Sequence, residues 1–131
     1  MSYIDGFVIA VPSAKKQQFI EHAQLGDSIF TDLGATRVIE CWGDDVHDGK
    51  VTDFRKAVQA KDDETVVFSW IEWPDKQTRD AGMKKMNEWI EDPEKADPRM
   101  HPEKNPAPFD GQRLIYGGFA PIVELGPVDT N

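Results

Sequence analysis

Two runs of this chain, Tyr3–Val11 and Thr65–Trp73, carry apolar side chains on both of the faces that a strand presents. Successive side chains of a strand point to opposite sides. Phe7, Ile9 and Val11 therefore share a face with Tyr3, while Ile4, Val8 and Ala10 share the other; in the second run Val66, Phe68 and Trp70 oppose Val67, Ile71 and Trp73. A sheet made of such strands needs a cover on each side. The chain offers only two long helical patterns, so a second copy of the chain is the expected missing layer.

A length of 131 residues suits one domain, expected over 1–125 with 126–131 as a tail. Fifteen Lys and Arg face 24 Asp and Glu, a net charge of -9. That field repels phosphate backbones and anionic membranes, which argues against nucleic-acid and membrane partners. The lone cysteine, Cys41, permits no internal disulfide. The N-terminus has no basic region ahead of an apolar core, and no apolar run approaches the ~18 residues of a membrane span. A cytoplasmic location is the expectation.

The elements follow from periodicity and punctuation. A strand over 3–12 is closed by Pro12, and Ser13 is placed to cap a helix bearing Phe19, Ala23, Phe30 and Leu33 on one stripe. Gly34 suits the left-handed residue that ends it. A second strand runs over 36–43, an acidic turn over 44–50, and a short helix or turn over Asp53–Gln59. After the 65–73 strand, Asp75 is the cap of a second long helix, with Gly82, Met83, Met86, Trp89 and Ile90 expected as its buried stripe. Five prolines exclude regular structure from 92–110, except for one helical turn at Asp97–Met100. Arg113–Phe119 is the last strand, and Ile122–Leu125 a short edge segment. The order β-α-β-β-α-β is the ferredoxin-like split pattern, an α+β fold with an antiparallel sheet and both helices on one side. Its uncovered face predicts a two-fold homodimer, since a stable interface removes about 800 Å² per partner.

Glu40 shares its strand face with Val38 and Trp42. A carboxylate among apolar neighbours is a candidate general acid or base; a structural ion pair is the plainer alternative. Glu72 is similar but nearer a strand end. Trp42, Trp70, Trp73 and Tyr116 are candidates to line a flat aromatic pocket, or else are core or interface packing. Cys41, mid-strand, reads as a small buried hydrophobe. His47 with Asp44, Asp45, Asp48 and Asp53 lacks the calcium-loop pattern, so no metal is expected. His22 is off the apolar stripe and is expected at the surface. There is no dinucleotide, Walker, nucleophile-elbow or zinc motif, so no cofactor is expected.

Several runs together resemble the YbaA-like family of small bacterial proteins of unknown function. They are Glu40-Cys41-Trp42-Gly43-Asp44-Asp45-Val46, Asp48–Phe54, Glu64–Pro74, Asp97-Pro98-Arg99-Met100, Pro108-Phe109-Asp110-Gly111 and Tyr116-Gly117-Gly118-Phe119. The resemblance spans nearly the whole chain. It implies the dimeric α+β barrel superfamily, in which two ferredoxin-like protomers join their sheets, and it implies no particular activity. Two functions are expected in turn. One is a cofactor-independent enzyme acting on a small organic molecule, with Glu40 as acid or base, Trp42, Trp70, Glu72 and Tyr116 as pocket candidates, and the 92–110 loop as a lid. The other is a non-catalytic dimer that binds a metabolite or protein. A cavity near ~300 Å³ separates the first from a filled barrel.

Overall fold

A computed structural model describes residues 1–127; the end of the expected tail, 128–131, lies outside the described residues. Four strands, β1 (Tyr3–Pro12), β2 (Arg37–Trp42), β3 (Glu64–Trp73) and β4 (Ile115–Phe119), form one antiparallel sheet in the spatial order β2-β3-β1-β4. Three helices, α1 (Lys16–Asp32), α2 (Phe54–Ala57) and α3 (Lys76–Glu91), complete an α+β architecture.

Register assigns the faces. Phe7 lies opposite Ser69, Ile9 opposite Val67, Val38 opposite Ile71, Glu40 opposite Ser69 and Trp42 opposite Val67. Directly opposed residues share a face, so all of these look toward the side that carries α1 and α3. Phe19 and Ala23 of α1 close on Ile9, Val11 and Val67, and Phe30, Leu33 and Met83 close on Ile71 and Trp73.

The helix ends show where local signals held. Asp75 accepts from the Thr78 amide at 2.7 Å and caps α3. Gly34 has φ +111°, the left-handed turn that ends α1. Ser13 does not cap α1. It opens a 3-10 turn over Ser13–Lys15, and its hydroxyl sits 2.6 Å from that of Thr65, so α1 starts three residues later without a side-chain cap. Gly82 is buried because α3 crosses β3 closely; a β-carbon there would lie 2.9 Å from the Trp73 ring. The expected buried stripe of α3 is corrected beyond that point. Met83, Met86 and Trp89 are half-buried, and Ile90 is 65 % exposed. Periodicity says which side chains share a helix face, not how much of that face meets a neighbour.

Charged groups also enter the core. Asp5, 3 % exposed, accepts from Trp73 Nε1 at 2.8 Å and from Arg79 Nε and Nη2 at 2.9–3.2 Å. Glu64 is 6 % exposed and is gripped by both Arg113 terminal nitrogens at 2.7 Å. The Arg113 hydrogen bonds hold its carboxyl down at about 2. The last strand starts at Ile115, not at Arg113, whose guanidinium is turned to Glu64 instead. The expected edge segment at Ile122–Leu125 forms no strand, and Ile122 and Leu125 are exposed.

The second sheet face is not wholly bare, as expected, but partly covered by the chain itself. Asp53 caps α2 by accepting from the Lys56 amide at 2.7 Å. Val58 and Ala60, which follow, pack on Ala10, Val66 and Val8, while Phe54 meets Phe68 edge-on at 5.9 Å. The rest of this face is an open apolar hollow of about 700 Å³, bordered by Ile4, Val8, Phe68, Trp70, Ile115 and Phe119.

Candidate functional site

A cavity of about 270 Å³ lies between α1 and the helix-covered face of the sheet. Its walls are mostly aromatic and aliphatic, among them Phe7, Phe19, Phe30, Val38, Phe109 and Tyr116. Two carboxyl groups border it, Glu40 from β2 and Asp27 from α1. Asp27 follows Phe19 and Ala23 at intervals of four, so it falls on the helix's apolar stripe.

The pair explains its own protonation. Glu40 Oε1 is sealed from solvent, and no N–H or hydroxyl donor among the described residues reaches it. The Asp27 carboxyl is pushed up to about 9, first by burial, then by its hydrogen bond with Glu40 and by that residue's charge. Asp27 therefore holds its proton at neutral pH and supplies the donor that Glu40 otherwise lacks.

The proline-rich segment 97–110 lies against α1 and contributes Phe109 to the cavity wall. Arg99 pins it to α1 through Ser28 Oγ at 2.8 Å and Asp32 at 2.9 Å, and is itself held by Asp97 at 2.6 Å. The Arg99 hydrogen bonds keep Asp97 at about 2, ionised throughout the ordinary range. Buried Asn105 donates its Nδ2 to the carbonyls of Arg99 and His22 at 3.0 and 3.3 Å. Its Oδ1 is thereby turned to the His22 ring 2.9 Å away, so the His22 Nδ1 carries the hydrogen and donates. Phe109 meets Phe19 at a tilt and His22 edge-on, with centroids 6.0 and 5.7 Å apart. His22 is thus half-buried at the cavity wall, not at the surface as expected: the loop that covers it is 83 residues away in sequence. A β-carbon on Gly26 would stand 3.4 Å from the Asn105 amide, so this helix position faces the same segment.

The structure brings together some of the residues singled out from sequence and separates others. Glu40 and Tyr116 line the cavity, with Tyr116 stacked 6.0 Å from Phe7. Trp42 lines an adjoining cavity of about 370 Å³ that also reaches Asp27 and Glu40. Trp70 borders both the inner cavity and the hollow on the second face. Glu72 is opposite Ile4 and Arg37 on that second face, 3.8 Å from the Arg37 guanidinium and away from Glu40. Trp73 is fully buried against Asp5 and belongs to the core. Cys41 is half-buried. In the acidic turn, Asp53 accepts from the Gly49 and Lys56 amides, and His47 pairs with Asp45 at 3.2 Å. No group of three or more His, Cys, Asp or Glu side chains suited to a metal gathers among the described residues. Asp27, His22, Asn105 and Phe109 were not expected at the site from sequence. Only Asp27 left a readable signal, a carboxyl on an apolar helix stripe.

Comparison with known proteins places the chain. A family model described as "Protein of unknown function (DUF1428)" matches residues 2–111. The chain is 51 % identical over 124 residues to the uncharacterized protein YbaA of Escherichia coli K12, covering 95 % of this chain and 99 % of that protein. The uncharacterized protein YbaA of Shigella flexneri matches with the same identity and coverage. No described helix is long and apolar enough to cross a membrane. A family model over residues 2–111, and a relative 51 % identical over most of both chains, mean that this chain belongs to the DUF1428, or YbaA-like, family.

Proposed function

We propose that the Asp27–Glu40 pair is an acid–base site for a small, largely apolar organic molecule. The observation that carries this reading is the placement of two carboxyl groups, one oxygen of Glu40 buried without a donor, at one aromatic-walled cavity. Such a pair suits proton transfer between two atoms of one ligand. Glu40 takes a proton from carbon next to a carbonyl, and Asp27 gives its proton to the carbonyl oxygen. The product is the enol, with no oxidant or cofactor consumed. The segment 97–110 serves as the cover that keeps water out.

The reading treats residues 1–125 as one ferredoxin-like domain. The strand order β2-β3-β1-β4 and the placement of α1 and α3 on one face support it. It also takes the chain as a cytoplasmic homodimer joined through the second sheet face, as a dimeric α+β barrel. Phe68 and Phe119 stand 45 % and 62 % exposed there, around the open apolar hollow, and contiguous exposed patches of this kind mark interfaces. Light scattering at micromolar concentration is expected to give the mass of two chains, and Phe68→Glu the mass of one. A wild-type mass of one chain removes the dimer.

The chemistry is tested with a panel of small neutral ketones that carry an aromatic ring, phenylacetone among them, by following exchange of the protons next to the carbonyl in D2O by NMR. Wild type is expected to speed exchange over buffer, and Glu40→Gln to lose at least about 100-fold of that acceleration while remaining folded. Equal exchange in wild type, Glu40→Gln and buffer rules the acid–base reading out. The second reading is a dimer that binds a metabolite without chemistry; the aromatic walls of Phe109 and Tyr116 favour it equally. Ketone binding without exchange is its signature.

A further inference from the structure

The inner cavity is not the only space that reaches the acid pair. The adjoining cavity of about 370 Å³ shares Phe19, Ala23, Asp27, Val38 and Glu40 with it. The two carboxyl groups therefore line both spaces, the ring-walled inner cavity and this second one, the outer groove. The outer groove has different chemistry. Lys16, Gln24 and Trp42 line it, and Lys16 Nζ lies 5.5 Å over the Trp42 ring. No carboxylate among the described residues lies within 4.0 Å of Lys16 Nζ. No other Lys or Arg lines either cavity. On a chain with net charge -9, a cation at the mouth of an apolar cavity, held over a ring and left without an anion, is a local reversal of the surrounding field.

We propose that the site takes a two-part ligand: an apolar or aromatic body in the inner cavity and an anionic group, a carboxylate, in the outer groove on Lys16. The inference rests on the acid–base reading for the location of the ligand, and it adds the substrate class, small organic acids with an apolar body. The part of the molecule between the two ends then passes the Asp27–Glu40 pair. The ring above which Lys16 sits limits the positions its ammonium takes, which lowers the ordering cost of meeting the anion.

The test uses three matched pairs, phenylacetate, 3-phenylpropionate and 4-phenylbutyrate with their primary amides, titrated by NMR into wild type, Lys16→Gln and Lys16→Glu. Lys16 is exposed, and neither variant disturbs the core. At least one acid is expected to bind wild type about tenfold more tightly than its amide, the scale of a charge-assisted hydrogen bond at a partly wet site. That preference should vanish in Lys16→Gln and reverse in Lys16→Glu, while the signals of Phe109 and Tyr116 continue to respond to the bound ring. Equal binding of acids and amides to wild type, a preference that survives Lys16→Gln, or no binding by any of the six overturns the proposal. The two readings fail separately. Loss of the acid preference with ketone exchange intact removes only the Lys16 groove, and acid preference with no exchange removes only the chemistry.

Discussion

Replacing Asp5 by alanine is expected to cost about 3–5 kcal/mol of folding stability, read as a shift in urea midpoint at unchanged slope. The carboxylate is buried in the middle of the sheet's helix-covered face, and it serves two donors from β3 and α3, Trp73 Nε1 and the Arg79 guanidinium. Asp5 also raises the Arg79 pKa, chiefly through their hydrogen bonds, so the guanidinium stays charged in either case. Without Asp5, the buried Trp73 indole N–H loses its acceptor and the Arg79 guanidinium keeps only the Asp80 carboxylate at 3.1 Å, an exposed partner that leaves its Nε and Nη2 unmet. The loss is a large part of the ~5–15 kcal/mol that holds a domain together. The double replacement Asp5→Leu with Arg79→Leu removes both charges and should recover most of it. A cost below about 1 kcal/mol for Asp5→Ala contradicts this account, because an inert Asp5 is incompatible with the donors converging on it.

The second large effect is a pH dependence. Asp27→Asn is expected to gain stability over wild type by about 3 kcal/mol more at pH 8 than at pH 4. The sign follows from the raised carboxyl. Its folded value of about 9 lies above the ordinary 3.8, so the folded chain holds a proton that the unfolded chain releases. The associated stability is fully present below about pH 4 and is lost as pH climbs toward 9. Asparagine keeps the shape and a donor for Glu40 but has no proton to lose, so its curve lacks that slope. The full shift corresponds to about 7 kcal/mol; roughly half is expected, because the cavity wall relaxes and admits water. Thermal or urea unfolding from pH 4 to 8 decides the matter, and parallel curves for the two proteins would mean that Asp27 is an ordinary carboxylate. A stabilising replacement at this position also marks Asp27 as a residue that the fold alone does not favour, which is common where stability is exchanged for function.

Both effects concern residues whose importance was unequally visible beforehand. Glu40 could be singled out because strand alternation puts it between Val38 and Trp42 on an inward face. Its partner could not, because α1 and β2 meet only when the helix packs back onto the sheet. Asp5 sits in a strand that is apolar on both faces, and alternation says only that it shares a face with Tyr3 and Phe7, not that Arg79 will come from 74 residues away to meet it. His22 was placed outside on the strength of its helix position, and the covering segment reversed that. The second face was expected to be bare because only long helices were counted as covers. The four-residue helix α2 and the Val58–Ala60 segment behind it are too short to carry a periodic signal.

What the chain's residues determined unaided was every feature set by near neighbours. These are the four strands and two long helices from their periods, the stops at Pro12 and Pro74, the caps at Asp75 and Asp97, the left-handed turn at Gly34, and the runs by which the family is recognised. Only the tertiary structure decided which carboxyl groups meet, where the cavity lies, and that Arg113 leaves the strand to hold Glu64. The reason is one of range. Backbone preference and side-chain period act over a few residues and leave their mark in the order of letters. The pairing of a buried charge is set by distance in space, and a carboxyl reads the same in sequence whether water or another carboxyl awaits it.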